Sequence, residues 1–166
     1  MNDLEPLLAD LRLAVFDFDG VFTDNRVWVS ENGEESVAFS RSDGLGLRRL
    51  DAVGVPYLIV STEANPVVQA RAAKLRADCV NGVDDKLAVL EEHAARHDAS
   101  LGEVAYVGND VNDAACLGAV GLPVVPADAW PEVAALARWV LSRPGGGGCV
   151  REFCDAVWEA RGGGSE

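Results

Sequence analysis

At 166 residues, with 49% apolar and 25% charged side chains, the chain has the size of one globular domain and can build a core without disulfides or a structural metal. Twenty-seven acidic against 14 basic residues give a formal charge of −13, a field that repels phosphate backbones and anionic lipid and argues against nucleic acid or membrane as partners. Cys79, Cys116, Cys149 and Cys154 form no Cys-x-x-Cys pair, no apolar run nears the roughly 20 residues of a membrane span, and the start has no signal-peptide pattern, so a reducing, cytoplasmic setting is expected.

In chain order, an apolar run over residues 13–18 reads as the first strand. Two period-2 segments, 26–30 and 35–40, flank Asn32-Gly33 and predict a β-hairpin inserted after that strand. Helical spacing over 45–53 follows, then a strand at 57–61, a helix over 64–76, a strand at 79–80 and a helix over 85–97. Strands at 104–107 and 123–125 alternate with helices over 111–117, 131–141 and 150–160. The alternation predicts an α/β fold, a Rossmann-like doubly wound parallel sheet, as a single domain over residues 1–166. Residues 145–148 and 162–164 are all glycine and read by composition as flexible joints.

The first strand ends in Asp17-Phe-Asp19-Gly-Val. Two carboxylates two residues apart at the C-terminal end of a central strand lie where open α/β sheets bind ligands. Such a pair is costly unless a cation neutralises it, and oxygen donors suit Mg²⁺. A calcium loop is excluded, since Val21 stands at its third ligand position and a strand precedes it. The second apolar strand ends in Ser61-Thr62, whose hydroxyls can donate to a phosphate. Lys86 opens a helix, and the strand at 104–107 runs into Gly108-Asn109-Asp110-Val-Asn-Asp113.

In this order the pieces resemble the four motifs of the haloacid dehalogenase superfamily of phosphatases. Asp17-x-Asp19 is like motif I, Ser61 motif II, Lys86 motif III, and Gly108-Asn109-Asp110-x-x-Asp113 motif IV. A two-component receiver domain uses similar groups, but its phosphorylated Asp lies on a later strand, and no later strand ends in Asp before Lys86. The resemblance implies that Asp17 is the nucleophile, Asp19 the general acid and base, and Ser61 and Lys86 the phosphoryl-binding pair. Mg²⁺ would take Asp17, the Asp19 backbone carbonyl and motif IV, where Asn109 replaces the usual acid and Asp110 or Asp113 could compensate.

Asp17 and Ser61 are 44 positions apart, and Ser61 and Lys86 are 25 apart. Neither interval holds a cap domain. The hairpin, the Asp43-Gly turn and the Gly145-to-Arg151 segment are similar to the capless, tetrameric phosphatases of 3-deoxy-octulosonate 8-phosphate and of nine-carbon sialic-type 9-phosphates. They also resemble the phosphatase-like C-terminal domain of acylneuraminate cytidylyltransferases. That likeness implies a homotetramer, a lid formed by the neighbouring subunit's tail (residues 145–166), and a 2-keto-3-deoxy sugar acid phosphate as substrate. Thr62-Glu63, where the eight-carbon enzymes typically read Gly-Arg, with Lys74 further on, points to the nine-carbon subset. Arg41, Asp43 and Arg151 complete the expected substrate contacts.

Two other readings stand beside this one. Some relatives lack the nucleophile and serve as assembly modules for a sugar-activating enzyme; the intact Asp17 and Asp19 favour catalysis, and Asn109 keeps the module open. A general small-molecule phosphatase is the third. His93 and His97 have a spacing that can hold zinc, but a solvated helix face is the preferred reading. Trp28, Trp130, Trp139 and Trp158 read as core or interface anchors.

Overall fold

A computed structural model describes residues 3–163. Six parallel strands form its main sheet. β1 (Leu13–Phe16) is central, with β4 (Tyr57–Ser61) and β5 (Asp78–Asn81) on one side and β6 (Val104–Val107), β7 (Leu122–Val125) and β8 (Trp139–Val140) on the other.

Side chains that alternate along each strand feed two separate cores. Ala14 and Phe16 of β1, Ile59 of β4 and Val107 of β6 face one core. It is closed by α1 (Glu5–Ala9), α2 (Arg41–Ala52), α3 (Pro66–Leu75) and α7 (Cys149–Ala160). Leu13, Val15, Leu58, Val60 and Tyr106 face the other, beneath α4 (Lys86–Arg96), α5 (Ala114–Ala119) and α6 (Pro131–Ala134). β1 and β6 are buried on both faces along their whole length, as a strand covered by helices on both sides requires.

The expected hairpin is present as β2 (Trp28–Val29) and β3 (Glu35–Ser36), shorter than predicted, with the loop over residues 31–33 closed by Ser30 N donating to Glu34 O. Its period-2 pattern predicts one buried face, yet Val27, Trp28 and Val29 are all exposed, with Trp28 at 77%.

Four differences from the sequence reading have physical causes. The first strand stops at Phe16, so Asp17 and Asp19 sit in the following loop. α2 begins at Arg41, because Ser40 caps it by accepting from Ser42 N, and Arg41 and Asp43 therefore lie in a helical first turn. The helix expected over 131–141 ends at Ala134; Trp139 and Val140 pair with Val124 and Val125, and strand pairing overrides the helix preference of the intervening alanines. Residues 145–148 are no flexible joint, since Gly146 N donates to Val21 O and Gly145 packs against Gly20.

Candidate active site

The sheet order reverses at β1, with β4 leaving on one side and β6 on the other, and this opens a crevice at the strands' C-terminal ends. Asp17 follows β1, Ser61 closes β4, Asn109 to Asp113 follow β6, and Lys86 opens α4.

At the floor lies a buried triad. Lys86 Nζ contacts Asp17 Oδ1 at 2.7 Å and Asp113 Oδ1 at 2.8 Å, all three side chains at most 6% exposed. Both Asp113 oxygens are engaged: Tyr106 OH donates to Oδ1 at 2.6 Å, and the backbone N–H groups of Asn109 and Asp110 donate to Oδ2 at 2.8 and 3.3 Å. A carboxylate so saturated positions Lys86 and has no lone pair to offer a metal, which corrects the expectation that Asp113 is a ligand. Burial pulls the Lys86 pKa down, but Asp17 and Asp113 outweigh it and raise it, so the ammonium stays charged.

Asp17 Oδ1 also accepts from Phe18 N at 2.7 Å, and no hydrogen bond among the described residues reaches its Oδ2. Burial first, and Asp113 second, push the Asp17 carboxyl up to about 8 against the pull of Lys86. Two buried carboxylates thus face one ammonium, and the site is short of positive charge.

Asp19 is less enclosed. Thr23 Oγ1 donates to its Oδ1 at 3.1 Å and accepts from Gly20 N at 3.2 Å, tying the loop into a tight turn. Desolvation is the main cause that raises the Asp19 pKa; Thr23 opposes it, and Glu63 and Glu35 add to it. Gly20, at φ +76°, lies directly under the Asn109 amide: a Cβ there would fall 1.9 Å from Nδ2. The Asn109 side chain is therefore brought against the Asp19-Gly20 backbone. Ser61 Oγ, buried, accepts from Glu63 N at 3.1 Å, which leaves its own proton free to donate to a bound anion.

Among the described residues no three His, Cys, Asp or Glu side chains cluster as a metal-holding group. The donor set at hand is of another kind: the free Asp17 Oδ2, the backbone beside Asp19, and the Asn109 amide oxygen. These are hard oxygen donors beside uncompensated negative charge, and they fit a Mg²⁺-type cation. Asp110 is half-buried and caps the short turn after it by accepting from Val111 N at 2.7 Å.

No protein-family model matches the chain. The 3-deoxy-D-manno-octulosonate 8-phosphate phosphatase of Yersinia pestis is 34% identical over 157 residues, covering 94% of this chain and 84% of the relative. The chain belongs to this family. Its members are phosphoric monoester hydrolases of the haloacid dehalogenase superfamily. A haloacid dehalogenase family hydrolase from Streptomyces avermitilis is 44% identical, with TM-score 0.86 over 89% of this chain and 84% of that one. The Moraxella catarrhalis 3-deoxy-D-manno-octulosonate 8-phosphate phosphatase, solved with magnesium, phosphate and KDO, is 28% identical with TM-score 0.93 over 98% of this chain and 94% of that one.

Within this phosphatase fold, the predicted residues divide. Asp17, Asp19, Ser61, Lys86 and Asn109 line the crevice. Thr62 and Glu63 are exposed on its β4 rim, where Asn65 Nδ2 donates to Glu35 Oε2 at 3.0 Å and ties the rim to the hairpin. Lys74 is exposed in the last turn of α3, about 12 Å along the helix from Pro66. Arg41 is exposed at the start of α2. Asp43 is fully buried instead of facing substrate, and burial pushes its pKa up to about 6 against the Arg151 backbone N–H and the Arg71 guanidinium. Arg151 pairs with Asp155 on α7, in a groove of about 810 Å³ that includes Ser42 and Trp139 but no crevice residue.

His93 is buried with Nδ1 on Val89 O, not on a solvated face. Thr23, Tyr106 and Glu35 escape the sequence reading. Thr23 lies two positions beyond the Asp17-to-Val21 run, so its hydroxyl is a usable signal; Tyr106 sits inside an apolar strand, with nothing local to mark its hydroxyl.

Proposed function

We propose that the chain is a Mg²⁺-dependent phosphomonoesterase that hydrolyses the phosphate ester of a 2-keto-3-deoxy sugar acid through an aspartyl-phosphate on Asp17. The observation that carries this is the triad: a nucleophile held by Lys86, itself fixed by a saturated Asp113, with a second carboxylate two residues on.

In the first step an Asp17 oxygen forms a bond to phosphorus in line with the ester oxygen, and the P–O ester bond breaks. Asp19, whose raised pKa keeps a proton at hand, delivers it to the leaving alkoxide. Thr23 holds Oδ1, so the proton is carried on Oδ2. The Ser61 hydroxyl and the Lys86 ammonium donate to phosphoryl oxygens. In the second step water attacks phosphorus, Asp19 takes its proton, and the acyl-phosphate bond breaks to free Asp17 and phosphate. Asp17, the Asp19 carbonyl and Asn109 would hold Mg²⁺, which would supply positive charge to the phosphoryl oxygens and favour ionised Asp17.

Glu63 on the crevice rim, near enough to Asp19 to raise its pKa, supports nine-carbon 9-phosphates as the preferred substrates. The curated relatives are named for the eight-carbon acid, and this is the rival. Assembly as a homotetramer is supported by the hairpin, which exposes Val27, Trp28 and Val29. Gly145 and Gly146 pack against the motif I loop of their own subunit, and a lid from a neighbour's tail belongs to the tetramer proposal; residues 164–166 lie outside the described residues. The free thiols suit a reducing cytoplasm.

The test is kcat/KM with Mg²⁺ for the two acid phosphates. A preference of about a hundredfold for the nine-carbon acid, about 2.7 kcal/mol, is expected. The reverse preference assigns the eight-carbon acid, and no release from either favours the assembly module.

A further inference from the structure

The glycine run at 145–148, which the chemistry above does not use, abuts the loop that carries Asp19. A Cβ on Gly145 would lie 2.1 Å from Gly20 O and 2.9 Å from Thr23 O, so only a glycine allows this approach. Gly145 N donates to Asp128 Oδ1 at 2.9 Å, which anchors it to the segment after β7. Next along, Gly146 N donates to Val21 O at 3.0 Å, and Cys149 Sγ, at the start of α7, contacts the same carbonyl at 3.2 Å. Gly20 is thus clamped, with the Asn109 amide against its Cα and Gly145 against its carbonyl.

Inside this clamp Thr23 is fully buried, and its hydroxyl is the hydrogen-bond partner of Asp19. Its position depends on the backbone of residues 20–24, which the glycine run braces from outside. Moving Gly20 or Thr23 outward would lengthen a bond already at 3.1 Å and let the Asp19 carboxyl turn.

We infer that Gly145 and its anchor Asp128 are positioning residues for Asp19, acting through the Gly20–Thr23 turn. This rests on the phosphatase reading above. Asp17 and Lys86 lie behind the loop and keep their own contacts, so the clamp sets the proton-transfer group and leaves the nucleophile in place.

The two chemical steps use Asp19 differently, and that gives a selective test. Nitrophenolate is a good leaving group that departs without a proton, so p-nitrophenyl phosphate phosphorylates Asp17 without help from Asp19. Hydrolysis of the aspartyl-phosphate still needs Asp19 as base. Asp128→Ala removes the anchor with no steric change, and Gly145→Ala inserts the clash; Asp128→Ala keeps the test decisive if Gly145→Ala does not fold. Rapid-mix kinetics with p-nitrophenyl phosphate and Mg²⁺ should show a burst of one nitrophenolate per chain in Asp128→Ala, with a burst rate within about twofold of wild type and steady-state turnover about tenfold slower. Turnover of the sugar acid phosphate should fall by a similar factor with KM little changed. Burst rate and turnover falling together, or neither changing in a folded variant, overturns the inference while the phosphatase reading stands. A wild-type chain that releases no phosphate from any ester overturns both.

Discussion

A buried carboxylate without a well-formed hydrogen bond makes stability depend on pH, and Asp43 is such a group: the Arg151 backbone N–H lowers its pKa but makes no hydrogen bond of good geometry to either oxygen. Its folded pKa of about 6 lies above the ordinary 3.8, chiefly through burial. The folded state therefore holds that proton more tightly than the unfolded chain. The stabilisation is complete below pH 4 and is lost as pH rises to about 6, with a full size on the order of 3 kcal/mol. Asp17 and Asp19 are raised too and shift stability in the same direction, so a comparison isolates Asp43. Urea unfolding of wild type and Asp43→Asn at pH 4.5 and pH 7 should show a smaller pH dependence in the variant; identical dependence would remove Asp43 as the cause.

At Asn109 the expectation concerns metal. Its amide lies against the Asp19-Gly20 backbone, and a carboxylate of the same shape adds a charged oxygen there. Asn109→Asp should tighten Mg²⁺ binding by about tenfold in a calorimetric titration; unchanged or weaker binding would take Asn109 out of the ligand set. Single residues at strand ends and helix starts, Asp17, Ser61 and Lys86, are legible in sequence because position along the element fixes where they point. Asp43 is not, since its burial is decided by α7, more than 100 positions away. Neither is the role of Asp113, which depends on four donors from three segments.

At the scale of elements, the hairpin is the segment that its own chain leaves unburied. Two strands of two residues do not hold themselves together in water, and Trp28 is 77% exposed. Burial against other copies would supply the missing contacts, at about 25 cal/mol per Å² of apolar surface. Trp28→Asp should shift the chain from tetramer to smaller species in sedimentation velocity with its circular dichroism unchanged. A tetramer that survives the substitution, or a wild-type monomer, would count against hairpin-mediated assembly.

The sequence signals for elements fail where tertiary contacts decide. Ser40 and Asp43 have the spacing of a helix start, yet the Asp-Gly there reads as a turn, and the Ser40 cap together with packing against α7 keeps the first turn of α2 helical. Trp139 and Val140 form a strand because β7 offers an open edge. Residues 145–148 look flexible by composition, whereas Gly145 and Gly146 approach the motif I loop closely.

For the whole molecule, the parallel sheet and its two cores follow from features that are local in sequence: apolar runs without alternation, joined by helical segments. That is why the crevice at β1 and most of its lining can be read from the chain alone. The field of the molecule adds a constraint, because a charge of −13 repels an anionic substrate at long range. Binding must therefore come from short contacts within the crevice, where Lys86 is already shared between two carboxylates. A divalent cation beside Asp17 would supply the missing positive charge.

The most direct measurement is the mass of the chain after rapid acid quench during turnover of a 2-keto-3-deoxy sugar acid phosphate, with and without Mg²⁺, in wild type and Asp17→Asn. One added phosphoryl group on Asp17 is expected only with Mg²⁺, and phosphate release at least about 1,000-fold slower in Asp17→Asn. Phosphate release that persists in Asp17→Asn, or turnover with Mg²⁺ but no phosphorylated Asp17, would contradict it.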